Sequence, residues 1–67
     1  MTTIQQLEAE LEEAQNLVKL YAKLGDTYMA IGKREQAYAK RNEAIAQQSR
    51  VLTIKAVLKS KGQTNDN

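Results

Sequence analysis

A chain of 67 residues makes one domain at most and buries only a modest share of its surface. It contains no cysteine and no histidine, which excludes disulfides and thiolate metal sites and removes the commonest general base and metal ligand. The formal charge of +2 is slight but uneven: residues 1–31 hold five acids and two lysines, whereas residues 32–67 hold three acids and eight bases.

Apolar residues make up 42% of the chain and are mostly Ala, Leu and Ile, enough for a helical stripe rather than a globular core. No apolar run approaches the roughly 18 residues of a membrane span. The opening MTTIQQLEAE is polar and acidic and does not read as a signal peptide. The expectation is a soluble, cytoplasmic protein with no membrane partner.

In chain order, Thr2 and Thr3 precede Gln5 and Gln6, and both pairs fit the S/T-x-x-E/Q capping box of a helix start. Glu8, Glu10, Glu12 and Glu13 follow, the earliest of them expected to gain from the positive end of the helix dipole. Ile4, Leu7, Leu11, Ala14, Val18 and Tyr21 are then spaced alternately three and four apart, a heptad stripe that continues through Gly25, Tyr28 and Gly32. Leu17, Leu20, Leu24 and Ile31 add a second apolar line on the adjacent face.

Gly25-Asp26-Thr27 could cap a helix and turn the chain. The apolar period crosses it without a slip, which favours continuity, at a cost of about 1 kcal/mol against alanine. Such a glycine is tolerable where another backbone approaches closely. Gly32 is the better stop, because it follows the last apolar residue and can adopt the left-handed conformation that ends a helix.

The return helix should run from about residue 34 to 59, a stretch rich in good helix formers. Ala37, Ala44, Val51 and Leu58 form one heptad line on it, and Tyr38, Ile45 and Leu52 the next, with Arg41, Gln48 and Lys55 between. The preferred reading lays the stems of those three along apolar surface with their heads in water. The alternative is two separate apolar seams, one for the hairpin and one for a partner. Ile54 and Val57 fall off both lines and are expected to be partly exposed. The tail 60–67 has no apolar residue and is expected to be disordered.

The predicted fold is all-α: an antiparallel two-helix hairpin over 1–59, with a long helix at about 3–31, a turn near Gly32 and a long helix at about 34–59. Antiparallel packing should bring Glu8 to Glu13 alongside Lys55, Lys59 and Lys61. Two helices leave an apolar excess, so self-association into a dimer or tetramer, such as a four-helix bundle, or docking on a helical protein is expected. The predicted partner-binding residues are Leu17, Leu20, Leu24, Tyr28, Ile31, Tyr38, Ile45 and Leu52.

No phosphate loop, metal spacing or nucleophile-plus-base pair is present. No catalytic, cofactor-binding or metal-ligating residue is assigned, and an enzyme is not expected. Lys33, Arg34, Lys40 and Arg41 cluster at the turn. They could touch nucleic acid in a small homo-oligomeric regulator of phage or bacterial type, although a solvated helix end is the favoured meaning.

Tyr21, Leu24-Gly25, Tyr28, Gly32, Ala37 and Ala44 carry a resemblance. At these spacings, residues 21–44 resemble a tetratricopeptide unit, with its first aromatic, Leu-Gly pair, second aromatic, turn glycine and small residues on the second helix. Arg41 departs from that pattern where an aromatic is preferred, and Ser49 where a proline often ends the unit; there is no second copy. The resemblance implies that Gly25 lets the second helix pack closely. In length and layout the whole chain is similar to the small two-helix co-chaperones of type III secretion needle subunits. That resemblance implies an adaptor or co-chaperone paired with a tetratricopeptide-type protein.

Overall fold

The computed structural model of the chain describes residues 3–63. Two helices, α1 (Ile4–Ala30) and α2 (Arg34–Gln63), lie against each other as an antiparallel hairpin. The molecule is a rod of 53 × 17 × 15 Å.

The start of α1 is held by the predicted capping box, and the pair that forms it is Thr3 with Gln6. Thr3 Oγ1 accepts the Gln6 backbone N–H at 3.1 Å, and the Gln6 side-chain oxygen accepts the Thr3 N–H at 2.9 Å. Two of the free donors of a helix N-terminus are thereby satisfied. Thr2, of the other candidate pair, lies outside the described residues. The dipole contribution expected for the early acids is not realised. No acid stands in the first turn, and the effect fades within that turn.

Helix α1 runs through Gly25 unbroken, as the apolar period implied. It ends in a Schellman motif. Gly32, at φ 80°, lets its own N–H reach the Met29 carbonyl at 3.1 Å and the Lys33 N–H reach that of Tyr28 at 2.9 Å. Lys33 then serves as N-cap of α2, its carbonyl accepting the Ala37 N–H at 3.0 Å. The return helix continues to Gln63, past the Lys59 end that composition suggested, so residues 60–63 belong to it and the remainder of the expected tail lies outside the described residues. Lys61 in the last turn complements the negative end of its dipole.

The core is thin. Leu7, Ala14 and Gly25 of α1 and Ala37, Val51 and Ile54 of α2 are buried between the helices, and no large side chain among the described residues is completely enclosed. Where Gly25 meets α2, a Cβ in its place would stand 3.3 Å from the Ala37 carbonyl oxygen and 3.1 Å from Arg41 Cγ. The close approach needs a glycine on one helix and an alanine on the other, so local sequence sets the separation of the two axes.

The burial of Ile54 corrects the expectation that it would be partly exposed, while Val57 is exposed as expected. Helix α2 is rotated so that Ala37, Ala44, Val51 and Leu58 share the contact with Lys40, Gln47 and Ile54 rather than with the Arg41 line.

Candidate functional site

The rotation of α2 decides which apolar residues remain outside. Tyr38, Ile45 and Leu52 are 53%, 65% and 59% exposed, and on the first helix Leu20 and Ile31 are 49% and 60% exposed. Leu17, Leu24 and Tyr28 are half-buried. Of the eight predicted partner-binding residues, five are therefore exposed and three share their surface between the hairpin and solvent. The exposed α2 line matches the two-seam alternative. The stem reading holds at Arg41, whose Cγ packs against Gly25, and Gln48 and Lys55 border a hollow shared with Val18 and Val51.

Ion pairs fix the flank on which each line lies. Arg50 reaches Glu10 at 3.6 Å and Glu13 at 3.9 Å, which marks one edge of the hairpin. Glu10, Leu17 and Leu24 are seven residues apart, as are Glu13 and Leu20, so these leucines share that edge of α1 with the carboxylates. Arg41 reaches Asp26 at 3.7 Å across the opposite edge. Tyr38, Ile45 and Leu52 lie just outside the Arg41 line, on that second edge. The two apolar lines thus occupy opposite flanks of the rod.

The contact with Arg50 also corrects the expected pairing of Glu8 to Glu13 with Lys55, Lys59 and Lys61. At the rotation of α2 that buries Ile54, Arg50 is the cation beside the acids. Each of these pairs is solvent-accessible and worth under about 1 kcal/mol. They select orientation more than they hold the hairpin together.

The basic cluster at the turn is partly occupied. Lys40 pairs with Glu43 at 3.3 Å and its Nζ stands 5.5 Å above the Tyr21 ring. Arg41 is engaged with Asp26. Two of the four cations considered for nucleic acid therefore have partners within the hairpin, which leaves Lys33 and Arg34 exposed at the turn.

A shallow hollow of about 380 Å³ opens on the first flank, lined by Ala9, Glu12, Glu13, Asn16, Leu17 and Leu20. A second of about 290 Å³ lies on the other edge, between Val18 and Lys19 of α1 and Gln48, Val51 and Lys55 of α2. Neither holds a cluster of chemically reactive groups. Among the described residues no group of three or more acidic side chains is placed to hold a metal ion, and no helix is long and apolar enough to cross a membrane. Sequence reasoning did not anticipate the first hollow. Its signal is the small Ala9 beside two larger neighbours on one helix face. No family model, curated protein or solved structure matches the chain.

Proposed function

We propose that this chain is a non-enzymatic protein–protein interaction module, an adaptor or co-chaperone that docks a helical partner. The observation that carries the proposal is the exposed line Tyr38, Ile45 and Leu52. Three large apolar side chains at heptad spacing suit the knobs-into-holes packing of another helix. Leu17, Leu20, Leu24, Tyr28 and Ile31 supply further apolar surface. The close approach at Gly25 supports the tetratricopeptide-like reading of residues 21–44, since such units are completed by stacking on neighbours. A larger tetratricopeptide-type protein, of the kind that pairs with type III secretion co-chaperones, is the partner this reading favours.

The test is co-expression with the products of neighbouring genes, followed by purification of the complex. A partner retained by the wild type and lost with Ile45→Asp, while helicity is kept, supports the proposal. Retention of every partner by Ile45→Asp and by Leu24→Asp, with helicity and mass unchanged, would sink it.

A further inference from the structure

We infer that the α1 flank built on Leu17, Leu20 and Leu24 is an antiparallel two-fold interface with a second copy of this chain, which leaves the Tyr38, Ile45 and Leu52 flank for the foreign helix. The inference rests on the interaction-module reading and divides its two flanks. Glu10, Glu13, Leu17, Leu20, Leu24, Thr27 and Ile31 are spaced alternately three and four apart, so α1 carries a second coiled-coil seam beside the one that holds the hairpin. Its middle is apolar, and its exposed members lie away from α2.

Charge decides the direction of the pairing. Glu10 and Glu13 share the single cation Arg50, so that end of the seam keeps a net negative charge, while Lys23 at its other end is exposed and has no ion pair among the described residues. A parallel pairing sets Glu13 against Glu13 and Lys23 against Lys23. An antiparallel pairing, with its two-fold near Val18 and Lys19, sets Leu17 against the second copy's Leu20 and brings Glu13 within reach of the second copy's Lys23. It also lays the second copy's Leu24 over the hollow of about 380 Å³ that Ala9, Asn16 and Leu17 help to line. Nearly the full length of α1 overlaps in this register, because the two-fold falls close to the middle of Ile4–Ala30. Such a contact is isologous and closes on itself as a dimer.

The other flank is not self-complementary in this way. Arg34, Arg41, Gln48 and Lys55 form one edge of the α2 line at heptad steps. A two-fold midway between Ala44 and Ile45 would set Arg34 against the second copy's Lys55, and like charges placed face to face disfavour that register.

Sedimentation of the full chain from micromolar to millimolar concentration, with helicity followed on the same samples, tests the inference. The wild type and Ile45→Glu are expected to be dimers and Leu20→Glu a helical monomer. Lys23→Glu should weaken dimerisation roughly fivefold, and adding Glu13→Lys should restore it. Helicity controls for the contact of Glu13 with Arg50, and Leu20→Gln replaces Leu20→Glu should the latter lose helicity. A wild type that stays monomeric, a Leu20 variant that still dimerises, or an Ile45→Glu variant that does not, would overturn the inference. A monomer whose helicity rises when the product of a neighbouring gene that co-purifies with it is added would overturn the self-docking alone. A monomer already fully helical that takes up no partner would overturn the module reading with it.

Discussion

Arg41 Cγ lies 3.1 Å from the point that a Cβ on Gly25 would occupy, and the Ala37 carbonyl oxygen lies 3.3 Å from it. Gly25→Ala therefore sets a gain in helix propensity of about 1 kcal/mol against a forced separation of the helices. One of the opposing atoms is backbone and the other is close to it, so neither can swing away cheaply. The substitution should lower stability by about 1 kcal/mol, some 4–8 °C in a domain of this size. A rise in melting temperature would mean that α2 yields at this point.

Gly32 is needed for a different reason. Nothing stands within 4 Å of its missing Cβ, but its φ is 80°. Gly32→Ala should cost about 1 kcal/mol through backbone strain alone. A chemically synthesised chain with D-alanine at position 32 should be at least as stable as the natural one, because the mirror-image residue favours that φ. Thermal melts of both compounds separate strain from crowding.

The two helix starts are unequally capped. Thr3→Ala removes the acceptor for the Gln6 N–H and should cost about 1 kcal/mol. Lys33, at the start of α2, has no side-chain oxygen with which to accept such a bond. Lys33→Ser should stabilise the hairpin by about 0.5–1 kcal/mol, read as a shift in the urea midpoint. No change in either variant would show that the helix ends are frayed in solution.

Ile54 and Ile45 test the rotation of α2. Ile54→Ala removes a buried side chain and should cost about 2–3 kcal/mol, whereas Ile45→Ala touches the outer flank and should leave hairpin stability within about 0.5 kcal/mol. The measurement is urea unfolding at a concentration where the oligomeric state is constant. A reversed order would place the wrong face of α2 inside.

The features legible in the sequence are those set by neighbouring residues. Gly32, the Thr3–Gln6 box and the passage of α1 through Gly25 each follow from spacing within a few turns. The rotation of α2 about its axis was not legible in the same way. It depends on how deeply Ala37 seats against Gly25, a contact between residues on different helices. A rotation different by one line would put Ile54 outside and the lysines rather than Arg50 beside the acids. The division of the candidate site into two flanks follows from the same rotation. The continuation of α2 to Gln63 is hidden in the sequence because Ser60, Gly62 and the absence of apolar residues there suggest an end, while Lys61 favours a helix C-terminus.

The single reversal at Gly32 has a kinetic consequence. Gly25 meets Ala37, Tyr21 meets Lys40 and Glu13 meets Arg50, so each rung further from the turn joins residues more distant along the chain. Closing the first rung requires only a short loop, and every later rung adds little further entropy cost. Folding should proceed as a zipper from the turn at Gly32, and opening should begin at the far end, beyond the rung that joins Glu10 to Arg50. Amide exchange would then grade smoothly along the rod, slowest near Gly25 and fastest at the open end. A tension applied between the termini would peel the helices apart rung by rung, at lower force than shearing them along their length.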